Sequence, residues 1–293
     1  MTIMLQQTPP SDTQPVPASL AIDAVDADIR TGIDFAASLA VTGISMGADH
    51  PILSGPDMGQ TARRHFLHTL KSRQLSLDCL RTGAGADGLF SDQSINRLVE
   101  RGESAIALAH DFRCPLVSIY IGEPPPRPVS PASYPLTEQV EGWHPDTLHA
   151  LAVLAEMADR RGTILALCGG NVTAINRLLA HANTPGVRGG IDSLRLIASG
   201  HDVPQAVGTI SGKIAIWICS DAQRMGRSVA ACPLGEGQME PAAVLQSLHD
   251  SDFQGLILLD PRHTTHRHQT ARHDVNFLRN LLATGRNPAQ RKR

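Results

Sequence analysis

Residues 233–260 read PLGEGQMEPAAVLQSLHDSDFQGLILLD. The stretch divides into three parts. It opens on a glycine-rich turn. PAAVLQSLHD (241–250) follows, with apolar residues at helical spacing behind a proline suited to a first helical turn. GLILLD (255–260) is a short, continuous apolar run, the pattern of a strand covered on both faces in a parallel sheet. That strand ends on a single carboxylate, Asp260, and the fold decides what such an acid is for.

The same strand-and-helix pattern recurs toward the N-terminus. Strands are predicted at 19–25, 43–48, 75–82, 115–122, 163–170, 187–192 and 213–222, before the one at 255–260. Helices are predicted at 29–40, 59–73, 145–161, 172–182, 241–250 and 270–283, with a short one near 201–211. Another, capped by Ser91 or Asp92, runs to about Phe112. Eight strands, each followed by a helix or helical turn, point to an α/β fold, a single-domain (β/α)8 TIM barrel over residues 18–284. An open doubly wound sheet is the alternative. No GxGxxG follows the first strand, and the eightfold repetition favours closure.

Composition narrows the function classes. A chain of 293 residues buries a core without staples. A net charge of -2 and 3% aromatic residues argue against a nucleic-acid partner and against an anionic membrane surface. No apolar run reaches the length of a membrane span. The five cysteines are scattered and form no CxxC pair, which suits a reducing cytoplasm better than a disulfide framework. Residues 1–17 lack a basic segment followed by an apolar one, so they read as a disordered tail rather than a secretory signal. Residues 285–293 read as a basic tail. A proline-rich insertion at 123–143 carries Tyr134 and Trp143, which fits a lid or a contact in a homo-oligomer.

In such barrels chemistry gathers at the C-terminal ends of the strands. Those ends carry Asp23 and Asp26, Asp49 and His50, Arg81, Glu123, Cys168 through Asn171, Asp192 with Arg195, Asp221 with Arg224, and Asp260 with Arg262 and His263. Cys168 reads either as a thiol activated at a helix N-terminus or as a small buried residue. Gly169, Gly170 and Asn171 form a turn of the kind that holds anions. His263, His266, His268 and His273 read either as a transition-metal site or as a solvated polar loop.

The quoted stretch, together with GGIDSLRLIASGHDVPQAV (189–207) and KIAIWICSDAQRMGR (213–227), resembles the last units of the xylose isomerase-like superfamily of sugar phosphate isomerases and epimerases. The resemblance implies isomerisation or epimerisation of a small sugar-like substrate, by proton transfer between two carboxylates beside one divalent metal such as Mn²⁺ or Mg²⁺. Residue by residue, the family's strand 5 Glu falls on Cys168 and its strand 6 Asp on Asp192. The His three residues later falls on Arg195, the strand 7 His on Ile218, and the strand 8 Glu on Asp260. The implied catalytic residues are Asp260 and Asp192, which are also the ligands left in an eroded metal site. The implied substrate-binding residues are Arg224, Arg195, Asn171 and His263. Arg195 is expected to supply a fixed positive charge and to pair with Asp192 or Asp260. No cofactor is then expected, with one divalent Mn or Mg ion as the alternative. Two readings follow: an isomerase or epimerase of a small sugar-like or anionic ligand, and a catalytically inactive relative that binds a ligand or protein partner through the barrel mouth.

Overall fold

The computed structural model describes residues 15–55, 58–83, 92–122, 146–226 and 228–285. Strand and helix alternate from Val16 onward. The first half contains β1 (Val16–Ala21), α1 (Ile22–Val25), α2 (Ile29–Ser38), β2 (Val41–Gly47), α3 (Pro51–Ser54), α4 (Gln60–Ser72), β3 (Ser76–Gly83), α5 (Asp92–Phe112) and β4 (Leu116–Tyr120). The second half contains α6 (Thr147–Arg161), β5 (Ile164–Cys168), α7 (Val172–Ala182), β6 (Val187–Asp192), α8 (Ser193–Ala198), α9 (Val203–Thr209) and β7 (Ile214–Cys219). It continues through β8 (Asp221–Met225), β9 (Ser228–Cys232), α10 (Pro241–Asp250), β10 (Leu256–Leu259) and α11 (Arg267–Gly285).

Eight parallel strands close in the order β1-β10-β7-β6-β5-β4-β3-β2. The seam is the pairing of the first strand with the last, Ser19 opposite Leu258 and Leu20 opposite Leu259. Strand alternation separates two apolar layers. In β7, Ile216 and Ile218 point inward and join Ala21, Cys79, Leu116, Ala166, Cys168 and Leu258. Their neighbours Trp217 and Cys219 point outward and join Leu20, Ile44, Leu80, Ile119 and Leu259 beneath the helices. Trp217 is fully buried, and its indole N–H donates to Ser193 Oγ at 2.8 Å. On β1 to β4 several buried positions are polar instead: Ser19, Ser45, Arg81 and Ser118. Among the described residues no helix is long and apolar enough to cross a membrane.

The structure departs from the sequence reading at the first strand, after β6 and after β7. The first strand spans Val16–Ala21 rather than 19–25, because Val16 and Ala18 are already core residues and the chain after Ala21 turns into α1. The barrel therefore begins two residues before the boundary read at 18. α8 follows β6 without a break, with Asp192 as its cap. After β7 the chain forms an antiparallel hairpin, β8 and β9, which the sequence reading did not contain. The rest of the predicted N-terminal tail, the insertion at 123–143 and the C-terminal tail beyond 285 lie outside the described residues.

The glycine-rich turn of the opening stretch is held by two buried carboxylates. Asp221, at the start of β8, accepts from the backbone N–H groups of Ala222 (2.7 Å), Gly235 (3.0 Å), Gly237 (3.0 Å) and Met239 (2.9 Å). Asp274, on α11, accepts from Leu234 N–H at 2.8 Å. Gly235 has φ +83°, a left-handed conformation that side chains disfavour, and a methyl group on Gly237 would overlap the Asp221 carboxylate. The G-E-G pattern is thus the backbone's condition for wrapping an acid.

Burial pushes the Asp274 carboxyl up to about 7, and the charges of Asp221 and Glu236 add to the push. A raised carboxyl pKa contributes stability that is fully present below its unfolded value and is lost as pH rises through the folded one. Asp274→Asn keeps an acceptor for Leu234 and removes this loss. The variant's advantage over the parent is expected to grow between pH 5 and pH 8 by on the order of 3 kcal/mol, the two pKa units up to about 7 being worth about 1.4 kcal/mol each. Urea unfolding at the two pH values checks it, and an equal difference at both would mean that Asp274 titrates as an ordinary carboxylate.

Candidate functional site

The centre of the barrel mouth is Arg81, the inward residue near the end of β3. Its side chain is 9% exposed, and its guanidinium forms an ion pair with Asp23 of α1. Its Nε donates to Ser45 Oγ at 3.0 Å, and its third nitrogen stands 3.7 Å from Asp260 Oδ2. Asp23 uses its other oxygen to accept from Gly47 N–H at 2.9 Å. One buried cation is therefore shared between two acids that arrive from opposite ends of the chain. Both acids and Arg81 stand at strand ends, which the sequence shows. Their convergence is a product of closure, and no local signal announces it.

Asp260 lies just past β10 with a side chain 10% exposed. Arg262 Nε approaches both of its oxygens, at 2.9 and 2.7 Å, and the Arg262 N–H donates to it at 3.2 Å. Burial pushes the Asp260 carboxyl up to about 6; Asp23 pushes the same way, while Arg81, Arg195 and Arg267 pull it down. The close guanidinium partners of Asp260 are thus Arg262 and Arg81. Arg195, expected to pair with an acid here, instead has its guanidinium 4.8 Å from the centre of the Tyr120 ring and acts on Asp260 through its field. The reason is geometric: α8 begins directly at Asp192, and the Asp192 carboxylate caps it by accepting from the Arg195 backbone N–H at 3.2 Å.

Among the described residues, the donor set at these positions does not fit a divalent metal. Cys168 is 2% exposed in the inner apolar cluster, and burial, then Asp192 and Cys79, pushes its thiol well above the usual range. A buried neutral thiol is neither a hard-cation ligand nor a nucleophile. Space there is tight as well, since a methyl group on Gly190 would overlap Cys168 Sγ. Ile218 is buried beside it. Asp192 is engaged as a helix cap and Asp260 by two guanidinium groups. Among the described residues no three His, Cys, Asp or Glu side chains gather as a metal-holding group.

The remaining candidates are dispersed. Asn171 caps α7, its side chain accepting from Ala174 N–H at 2.9 Å. Arg224 lies on β8, and its Nη2 donates to the Ile197 carbonyl at 2.8 Å. It lines a cavity of about 270 Å³ with His201, Asp202, Gln238 and Glu240, and Asp260 is not part of that lining. His263 stays beside the mouth; loss of water around its ring lowers its pKa, and Arg195 and Arg267 lower it further. Of the histidines read as a last loop, His268 and His273 lie on α11 and divide. His268 faces Asp26 at 3.4 Å and packs edge-on against Phe35, whereas His273 meets the Leu234 carbonyl at 3.0 Å.

Residues 33–281 match the sequence profile of the xylose isomerase-like TIM barrel family. No curated protein matches the chain. Among solved structures, the xylose isomerase domain protein from Planctomyces limnophilus superposes with a TM-score of 0.71 at 16% identity, over 94% of this chain and 98% of that one. L-ribulose 3-epimerase gives 0.71 at 16% identity, over 93% and 96%. A xylose isomerase-like TIM barrel protein from Mycobacterium smegmatis in complex with magnesium gives 0.69 at 12% identity, over 92% and 96%. At these identities the likeness concerns the fold.

Arg81 has a measurable role in holding the mouth. Arg81→Met leaves Asp23 and Asp260 as buried like charges and is expected to cost about 3–5 kcal/mol. Adding Asp23→Asn is expected to recover at least about 1 kcal/mol of that, since the two residues share one interaction. Denaturant unfolding of the single and double variants checks it; strictly additive costs would show that the Arg81–Asp23 pair carries no coupling.

Proposed function

The chain belongs to the xylose isomerase-like TIM barrel family, and from that membership we propose that it is a proton-transfer isomerase or epimerase of a small sugar-like substrate. In this reading Asp260 moves the proton and arginine side chains supply the positive charge. The observation that carries it is Asp260 itself, a buried carboxyl at the end of β10, titrating near 6 between two guanidinium groups. A carboxyl whose pKa lies close to neutrality exchanges protons in both directions at working pH.

Ionised Asp260 takes a proton from the carbon beside the substrate carbonyl. The C–H bond breaks, its electron pair forms the C=C bond, and negative charge appears on the former carbonyl oxygen. Asp260, now neutral, releases part of its hold on Arg81 and Arg262, and their N–H groups turn to the new oxyanion. Negative charge thus moves from the protein to the substrate within reach of the same two cations, which limits the reorganisation needed. The hydroxyl proton on the carbon that lost its hydrogen passes to the oxyanion, a new carbonyl forms there, and return of the proton from Asp260 to the former carbonyl carbon gives the isomer. Delivery from the opposite face, the role this reading gives Asp192, gives the epimer. A divalent ion has no part in these steps, because the family's ligand positions hold a buried thiol, a guanidinium and an isoleucine.

A second reading has its own support. Arg262 engages both Asp260 oxygens, and a carboxylate so occupied also suits an inactive barrel that binds a ligand or a protein at its mouth. The same measurement separates the two. The enzyme is expected to exchange substrate C–H for solvent deuterium, followed by NMR over a panel of ketoses and their phosphates with a chelator present. The rate should rise with pH through about 6, as Asp260 ionises. Asp260→Asn should lower it by roughly a hundredfold or more. Exchange indifferent to Asp260→Asn removes Asp260 from the chemistry, and no exchange with any member of the panel leaves the binding protein.

The reading places the protein in the cytoplasm. All five cysteines are free thiols, four of them buried, an arrangement that suits a reducing compartment.

A further inference from the structure

After β7 the chain leaves the barrel as the β8–β9 hairpin, which lies against α8. Its register decides which backbone groups the hairpin uses itself. Ala222 stands opposite Ala231, and Arg224 opposite Val229. The Ala222 carbonyl accepts from Gln238 N–H at 2.8 Å, and the Ala222 N–H donates to Asp221 Oδ1, so both groups of Ala222 point away from β9. In an antiparallel pair the residue facing such a position also turns its N–H and C=O outward. The outer edge of β8 is thus occupied by the turn that Asp221 holds. The N–H and C=O groups of Ala231 and, two residues back, Val229 line the outer edge of β9. Among the described residues nothing bonds to that edge.

The side chains of the hairpin divide in the same way. Val229 turns with Arg224 toward α8 and packs on the outer apolar layer. Ser228 and Ala230 are exposed on the opposite face. Met225, 65% exposed, extends this uncharged strip to the tip of the hairpin. The strand SVAAC (228–232) carries no charge, no proline and no bulge, the devices that keep an edge strand from pairing.

We infer that the β9 edge is a contact between two copies of this chain, paired antiparallel about a two-fold axis at Ala230 into one four-stranded sheet. Symmetry and charge select a second copy as the occupant. A two-fold axis sets a strand against itself, so a charged strand would repel its own copy. This strand has no charge to repel, and the net charge of the whole chain is only -2. A charged peptide would find no counter-charge on it. The register follows from the outward groups. With Ala230 opposite Ala230, Val229 of one copy faces Ala231 of the other on both sides of the axis, and every outward N–H meets an outward carbonyl. The methyl groups at the axis leave room for the two backbones to approach. Five residues a side bury less than the roughly 1,200 Å² of a stable standard interface, so the affinity belongs in the micromolar range. No residue of the barrel mouth takes part, and the inference stands apart from the isomerase reading.

Sedimentation of the full chain over about 1–500 µM should show a monomer–dimer equilibrium. Ala230→Lys sets two ammonium groups against each other at the axis. It should weaken dimerisation at least tenfold and leave the melting temperature of the monomer unchanged, because Ala230 is exposed. Cross-linking reads the register. In a Cys232→Ser background, Ala230→Cys should give a disulfide-linked dimer under mild oxidation, since facing β-carbons in such a pair stand about 4.5–5.5 Å apart. Gln223→Cys in the same background shares the exposed face but lies on β8, three strands from its counterpart, and should not cross-link. A chain still monomeric at about 500 µM overturns the inference. So does a dimer indifferent to Ala230→Lys, or one that cross-links through Gln223→Cys in preference to Ala230→Cys.

Discussion

The seam between β1 and β10 is the constraint on which the mouth depends. Pairing Leu20 with Leu259 brings the ends of the first and last strands side by side, so that Asp23 and Asp260 become neighbours. Two buried acids at that distance repel, and water is scarce. Arg81, reaching in from β3, resolves the conflict by pairing with one and standing near the other. On β2, Ser45 gives Arg81 an acceptor, and Gly47, with no side chain, leaves room for the Asp23 and Asp49 carboxylates. Remove closure and the three charges have no reason to meet; remove the cation and closure becomes costly at this end.

That arrangement explains how the positions where the family carries metal ligands are filled here. A divalent ion at a barrel mouth neutralises inward-pointing carboxylates. Here the neutralising charge is built into the chain. Cys168 fills space beneath Gly190 as an apolar residue, Ile218 extends the inner hydrophobic layer, and Arg195 adds charge of the sign a metal would have supplied. The replacements are mutually consistent. An inner layer of Cys168, Ile216 and Ile218 offers no hard-cation ligands.

The turn at 233–239 shows the same economy in a different place. Asp221 satisfies four backbone N–H groups and Asp274 a fifth, so the chain between the β8–β9 hairpin and α10 is shaped by two acids as well as by the burial of Leu234 and Met239. Asp221 belongs to this support and not to the mouth. Arg224, three residues later, is carried away from Asp260 by the hairpin and bonds to the end of α8.

What the sequence determined by itself was the barrel. Apolar runs of strand length alternating with amphipathic helices can bury their surfaces only by closing with helices outside, and the bounds of β6, α7 and α10 were legible to the residue because Asp192, Asn171 and Pro241 mark them. Asp260 was legible as an acid at a strand end. The N-terminal edge was less so, since nothing local distinguishes a strand beginning at Val16 from the tail before it until its partners Val41 and Gly43 are in place. The β8–β9 hairpin escaped because DAQRM and SVAAC lack the alternation of a buried strand; they are held by pairing with each other. Only the tertiary structure decided which arginine serves which acid. Arg195 stands three residues from Asp192 in sequence, yet the partners of Asp260 are Arg262 next to it and Arg81 from across the barrel. Ion pairing follows distance in space and the cost of burial, and closure brings those two guanidinium groups to Asp260 while it lays that of Arg195 over Tyr120.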